Sequence, residues 1–230
     1  MRTALERIDP SLPSRATVVG WSWIKKVLQV LGVASATQLW YMPLQQLCFV
    51  ARLLLCHDAM ARGVAHRHGM KRSDVTIYDT HCEVAVAATW STQKKKMDSG
   101  RQAVLPMFRG RLSSGYALMV FMTRTRQRPQ ADVLFYGETP ALDDKQFAER
   151  LRELLQQAGM QQKDVERVSA HSLRAGGATD FFAIGWALSR IMKQGGWTSP
   201  AVLIYDRPDH EHRAKDADWL ATRIRAEESR

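Results

Sequence analysis

Two short stretches in the last third of the chain hold residue types that can act on an anion. In His171-Ser-Leu-Arg174-Ala-Gly-Gly-Ala-Thr179 the histidine and the arginine stand at i and i+3. On a helix that spacing puts both on one face, where they can converge on a single anionic group. The small residues 175–178 permit a close backbone approach beside them. Gly195-Gly-Trp197-Thr-Ser-Pro-Ala-Val-Leu-Ile-Tyr205 follows, with Ser199 as a cap and Pro200 as a first-turn residue. Tyr205 then falls about one and a half turns into the helix that Pro200 opens. Taken singly, each residue has a plainer reading: a capped helix start with a surface arginine, a tryptophan anchoring a core, a buried tyrosine with a bonded hydroxyl.

Other chemistries lack their residues. The chain has no G-x-x-x-x-G-K-[ST], no G-x-G-x-x-G and no H-E-x-x-H, so nucleotide-driven and zincin reactions have no support. His210-Glu-His212 is a dense histidine cluster, and it sits in a charged tail that composition alone explains. Cys48, Cys56 and Cys82 are odd in number and never spaced C-x-x-C, so they read as core thiols rather than a disulfide frame or a zinc site. The 33 Lys plus Arg against 23 Asp plus Glu give a net charge of +10, which favours a polyanionic partner such as nucleic acid.

The elements that must position these residues can be read from periodicity. With 230 residues, 45% of them hydrophobic and 24% charged, the chain is expected to hold one full domain plus an appendage. No apolar run approaches a membrane span, and the amino terminus lacks the apolar stretch of a secretion signal, so an intracellular protein is expected. Val18, Trp21, Trp23, Ile24, Leu28, Leu31 and Val33 predict an amphipathic helix within residues 17–33, with Trp21, Trp23 and Trp40 as packing residues. A buried helix is predicted after Pro43, ending before Arg62. Residues 75–78, 84–90 and 103–106 alternate and are rich in β-branched types, predicting a small antiparallel sheet. The Asp98-Ser-Gly100 turn signal holds Lys94, Lys95 and Lys96 at a hairpin tip. A helix is predicted over 115–122, an exposed basic loop over 124–130 and a helix over 145–158. Helical spacing then continues from Phe181 to Met192 across Gly185. Helices, a small sheet and helices again define an α+β class rather than alternating βαβ.

In this order the parts resemble the tyrosine recombinases, the phage-integrase-like site-specific recombinases. Their pattern of His-x-x-Arg, then Gly-x-His/Trp, then Tyr is met by His171, Arg174, Trp197 and Tyr205. Phe147-Ala-Glu-Arg-Leu-Arg-Glu-Leu-Leu-Gln-Gln-Ala-Gly is similar to the helix that precedes this motif in the family. The resemblance covers residues 42–206 and is most specific from 145 onward. It implies a mostly helical catalytic domain with a small antiparallel sheet over 42–206, a short helical arm over 1–41 that resembles a truncated core-binding domain, and a carboxy-terminal tail over 207–230. It also implies Arg62 as the first arginine of the site, with Arg67 as the alternative. Ala65 stands where the family often has a glutamate. The hairpin lysine is implied as Lys96, in the register Lys96-Met-Asp98, with Lys94 and Lys95 as alternatives. Arg124 and Arg126, with Lys94 and Lys95, are the expected DNA contacts.

The implied chemistry accounts for these residue types. A tyrosine phenol has a pKa near about 10 and needs a base and a positive field to attack phosphorus at neutral pH. Two arginines hold nonbridging phosphate oxygens and favour the transition-state charge. His171 takes and returns the phenolic proton, the Trp197 indole N–H can only donate, and Lys96 protonates the leaving 5′ oxygen. The resemblance therefore implies DNA cutting and rejoining through a 3′-phosphotyrosyl intermediate on Tyr205, with no metal, no cofactor and no ATP. The implied partners are double-stranded DNA and further copies of the chain, as a tetramer on DNA, in a bacterial cytoplasm and nucleoid or in a nucleus. Two alternatives stay open at this point: a catalytically impaired DNA-binding remnant of a mobile element, and strand nicking-closing of the type IB topoisomerase kind.

Overall fold

The computed structural model describes residues 17–61, 70–86, 101–108, 112–135 and 144–206. Helix α1 (Trp21–Val30) buries Ile24, Val27 and Leu28, the i, i+3, i+4 positions of its apolar stripe. After a 3-10 turn at Ala36–Trp40, Pro43 leads into α2 (Leu44–Asp58), where every residue from Leu47 to His57 is buried. A helix apolar on all sides needs cover on all sides. It is packed by α3 (Ser114–Arg124), by α1 and by α6 (Ala170–Ala183).

Strands β1 (Val75–Ile77), β2 (His81–Val86) and β3 (Arg101–Pro106) form an antiparallel sheet in the order β1-β2-β3, pairing Val75 with Val84 and Cys82 with Leu105. Alternation sends Cys82, Val84, Ala103 and Leu105 into the core. The rest of the body is helical: α4 (Asp144–Gln157), the short α5 (Gln162–Val165), α6, α7 (Leu188–Gly195) and a closing 3-10 turn, Pro200–Tyr205. The α+β class expected from the sequence is the class observed.

Val19, Ile24, Val27, Leu28 and Val33 share one core cluster with α2, the sheet, α3 and α4, and Trp21, Trp23 and Trp40 pack half-buried against it. Trp40 Nε1 donates to the Tyr116 hydroxyl at 3.0 Å. Cys48, Cys56 and Cys82 are buried thiols outside any disulfide. Burial pushes the Cys48 and Cys82 thiols up to about 11, as core placement requires.

Two expectations are corrected and a third holds in part. The helical spacing from Phe181 to Met192 is broken: α6 stops at Ala183 and Gly185 takes φ +80°. The Gly185 and Trp186 N–H groups turn back to the Phe182 and Phe181 carbonyls at 2.9 and 3.0 Å. That left-handed glycine cap ends the helix, and Ile184 is left 68% exposed. The segment that Pro200 opens is 3-10 rather than α. The basic stretch 124–130 is turn backbone exposed at residues 126, 127, 129 and 130, as expected, but it begins inside α3, whose last residue is Arg124, and Thr125 is buried. Arg128 donates to the Val133 and Leu134 carbonyls at 2.9 and 3.4 Å.

Candidate active site

Helix α6 presents the site. Ser169 caps it, its hydroxyl accepting from the His171 N–H at 3.2 Å while Ser172 Oγ accepts from the Ser169 N–H at 3.0 Å. This reciprocal cap starts the helix so that His171 and Arg174 share one face. Gly176 and Gly177 then let α6 lie directly on other backbone. A Cβ at Gly176 would collide with the Val19 carbonyl, and one at Gly177 with the His57 carbonyl at the end of α2. The small-residue run thus brings Arg174 against the segment that leaves α2.

Arg174 is 2% exposed, and its Nη1 donates to the carbonyl oxygens of Met60 and Gly195, the latter at 2.7 Å. Met60 takes φ +46°, a conformation few non-glycine residues adopt. The guanidinium carbon lies 3.6 Å from the centroid of the Trp197 ring. Trp197 in turn stands 6.0 Å from the Tyr205 ring, centroid to centroid, so it neighbours both Arg174 and Tyr205.

Tyr205 is 7% exposed at the end of the closing 3-10 turn, and its carbonyl accepts from Thr179 Oγ1 of α6 at 3.1 Å. Its hydroxyl lies 2.5 Å from His171 Nε2. That separation is within reach for direct proton transfer between a phenol and an imidazole. His171, Arg174, Trp197 and Tyr205 are therefore brought together, although 34 residues of chain separate His171 from Tyr205. Arg62, Arg67 and Lys94, Lys95 and Lys96 lie outside the described residues, as does His210-Glu-His212. Arg126 is exposed. Arg124 is half-buried, its Nη1 donating to the Met42 carbonyl at 2.6 Å and to that of Leu39 at 3.4 Å. Its guanidinium ties α3 to the chain before α2.

Two neighbouring features had no distinctive sequence signal. His57, 3% exposed, is held between Asp58 Oδ1 at 2.7 Å from Nδ1 and Asp180 Oδ2 at 2.8 Å from Nε2. Burial works against a charge there, but the bonds to Asp180 and Asp58 outweigh it and raise the pKa to about 9. Asp180 Oδ2 also accepts from the Trp21 N–H at 2.5 Å, so an imidazolium clasp joins α1, α2 and α6. The second is Gln194 of α7, whose buried amide bonds to the backbone of Asp58 and Val104. A polar residue at the end of an apolar helix and a glutamine before two glycines look like surface positions in a sequence. Among the described residues, no three His, Cys, Asp or Glu side chains converge as metal ligands would. No described helix is long and apolar enough to cross a membrane.

A capped helix offering histidine and arginine, a tryptophan against that arginine and a tyrosine on the histidine form the grouping that the resemblance to the tyrosine recombinases implies. Residues 46–212 match the Phage integrase family, and the chain belongs to that family, the tyrosine recombinases. The fold is shared with the structure of XerA recombinase at a TM-score of 0.62 and 17% identity, over 90% of this chain and 66% of that one. XerH site-specific recombinase bound to palindromic difH substrate, in a post-cleavage complex, gives 0.62 at 16% identity, over 89% of this chain and 53% of that one. The pre-cleavage complex of XerH with difH substrate gives 0.61 at 15% identity, over 90% and 55%. The chain thus spans 53% to 66% of the length of these recombinases. A comparison with curated protein sequences gives no match.

Proposed function

We propose that the chain is a site-specific DNA recombinase or integrase that cuts and rejoins double-stranded DNA through a 3′-phosphotyrosyl intermediate on Tyr205, with neither metal nor ATP. The observation that carries this reading is the 2.5 Å separation of Tyr205 Oη and His171 Nε2 beside a buried, doubly anchored Arg174. A phenol is almost wholly protonated at neutral pH, so a base in contact with its hydroxyl is what a nucleophilic tyrosine requires.

In the cutting step the Tyr205 oxygen attacks the scissile phosphorus and a P–O(Tyr) bond forms as the P–O5′ bond breaks. The phenolic proton passes to His171. The leaving 5′ oxygen takes a proton from a lysine of the chain between β2 and β3, with Lys96 in the best register and Lys94 and Lys95 as alternatives. Arg174, with Arg62, balances the charge that grows on the nonbridging oxygens, the role a divalent cation fills in other phosphoryl transfers. Reversal by a second 5′ hydroxyl rejoins the strand, and the phosphotyrosyl bond stores the energy that joining needs.

Partners follow from the reaction. Exchange between two duplexes requires several protomers, a tetramer on DNA, and the net charge of +10 suits a phosphate surface. Lys94, Lys95 and Arg126 are the proposed backbone contacts, and the protein works where DNA is, inside the cell.

Covalent trapping tests the reading. The protein is incubated with a library of nicked duplexes of varied sequence, denatured, and any DNA-linked peptide is mapped by mass spectrometry. An adduct on Tyr205 that is absent from Tyr205→Phe is the expected result. Binding without an adduct at any sequence would replace this reading with a DNA-binding remnant, and sequence-independent relaxation of supercoils with nicking-closing activity.

A further inference from the structure

Two helices end close together at the site: Asp58 is the last residue of α2 and Gly195 the last of α7. The final carbonyls of a helix have no partner within it and carry the partial negative charge of its dipole. Bringing two such ends together is unfavourable unless donors bridge them, and two buried side chains do so. Arg174 Nη1 donates to the Gly195 carbonyl at 2.7 Å and to the carbonyl of Met60, two residues past the end of α2. Gln194 Nε2 donates to the Asp58 carbonyl at 2.9 Å. Both bridges span the same gap, between residues 58–60 and 194–195.

The glutamine bridge has its own fixed direction. Gln194 is 6% exposed, and a buried primary amide is costly unless its donors and acceptor are satisfied. Val104 of the edge strand β3 meets it twice, its N–H bonding to Oε1 at 3.2 Å and its carbonyl accepting from Nε2 at 2.9 Å. With the amide set on β3 in this way, its second N–H is the one directed at Asp58. The opposite side of the gap is fixed too. Met60 holds φ +46°, which a non-glycine residue keeps only where its surroundings determine it. Its side chain is fully buried, and its N–H donates to the His57 carbonyl at 3.0 Å.

We propose that Gln194 is a positioning residue for Arg174: its amide sets the gap between the ends of α2 and α7, and so places the two carbonyls that hold Nη1. This rests on the phosphotyrosyl reading above. Gln194 touches no reacting atom. Both N–H groups of Nη1 are spent on the Met60 and Gly195 carbonyls, so the placing of the guanidinium against the nonbridging oxygens follows from that gap. An apolar side chain would fill the same space and leave the two negative helix ends joined by Arg174 alone.

A methylphosphonate at the scissile position separates misplacement of Arg174 from general loss of structure. A methyl group replaces one nonbridging oxygen and the linkage carries no charge, so attack by Tyr205 builds up less of the charge that an arginine balances. Single-turnover release of the 5′-hydroxyl strand is compared on phosphodiester and methylphosphonate duplexes for the full chain, Gln194→Met and Gln194→Glu. Methionine keeps the length without a donor, and glutamate keeps an acceptor for the Val104 N–H but puts a negative charge at two helix ends. The expected result is a loss of about 10²-fold on the phosphodiester, the size of a lost transition-state donor, and a loss at least about tenfold smaller on the methylphosphonate. Equal losses on both duplexes, or none on the phosphodiester, overturn the assignment. Arg174→Lys gives a second test that needs only the phosphodiester. If Gln194 acts through Arg174, adding Gln194→Met to Arg174→Lys lowers the rate far less than Gln194→Met does alone, whereas independent effects multiply and would overturn it. Failure of the parent chain to cleave any duplex of the sequence library overturns the phosphotyrosyl reading itself, a different failure. Amide hydrogen exchange reads the joint without DNA: the Val104 N–H should exchange faster in Gln194→Met, and unchanged protection there rules the joint out.

Discussion

The guanidinium of Arg174 sits over the Trp197 ring, its central carbon 3.6 Å from the ring centroid, with two main-chain carbonyls fixing the same group from Met60 and Gly195. The tryptophan thereby packs against the arginine, and its ring centroid stands 6.0 Å from that of Tyr205. A desolvated cation–π contact contributes on the order of 2 kcal/mol. Trp197→Ala is therefore expected to lower stability by at least that amount, measured by urea denaturation, and to slow adduct formation. Trp197→His, which keeps a ring and an N–H donor, is expected to lose less of both.

Tyr205 and His171 should separate in their effects. Tyr205→Phe keeps the buried ring and removes only the hydroxyl, so the denaturation midpoint should move little while the covalent adduct disappears. His171→Ala would leave the proposed nucleophile without its proposed base, and a fall of about 10²- to 10⁴-fold in cleavage rate is expected. Single-turnover cleavage alongside thermal melting checks both, and an active Tyr205→Phe would remove Tyr205 from the role.

The glycine pair of α6 is a packing requirement. Gly177→Ala would drive a methyl group into the His57 carbonyl and Gly176→Ala into the Val19 carbonyl. Since the obstacles are backbone, each should cost about 1–3 kcal/mol, read as a lower urea midpoint at unchanged m-value.

The His57 clasp makes stability depend on pH. Its pKa is raised from 6.5 to about 9, burial being outweighed by the bonds to Asp180 and Asp58. A raised pKa means the folded state holds the proton more tightly, so the stabilisation is complete below about 6.5 and is lost as pH rises through about 9. The size implied is about 3 kcal/mol. Melting temperature is expected to fall between pH 7 and 10 in the parent and to be flatter in His57→Gln; parallel curves would show that the clasp is not protonated.

Arg124 and Arg126 should part company in DNA binding. Arg124 is committed to the Met42 and Leu39 carbonyls, so Arg124→Ala should cost about 1–3 kcal/mol of stability and leave the salt dependence of DNA binding alone. Exposed Arg126 is a proposed phosphate contact, and Arg126→Ala should reduce the slope of log K against log salt by about 0.9. Fluorescence anisotropy across a salt series distinguishes them.

The α+β class, α1, α2, the three strands, α3 and α4 were all legible in the chain, because each has a periodic apolar face or a turn signal whose cause is local. His171, Arg174, Trp197 and Tyr205 were singled out by their order in the chain and the resemblance that order carries, each alone having a plainer reading, and the structure brings the four side chains together. The end of α6 at Ala183 was not legible, because helical spacing on both sides of Gly185 masks a break that a single left-handed residue makes. Nor was the fate of the basic residues: charge is a property of a residue, but whether a guanidinium meets solvent, as at Arg126, or a carbonyl, as at Arg124, depends on which backbone lies beside it. The same holds for the 2.5 Å contact of His171 with Tyr205, the enclosure of His57 by Asp58 and Asp180, and the three backbone bonds of Gln194. Each needs a partner far away in the chain, and only the packing of α6 and α7 against α2, β3 and the closing 3-10 turn gives these groups a distance.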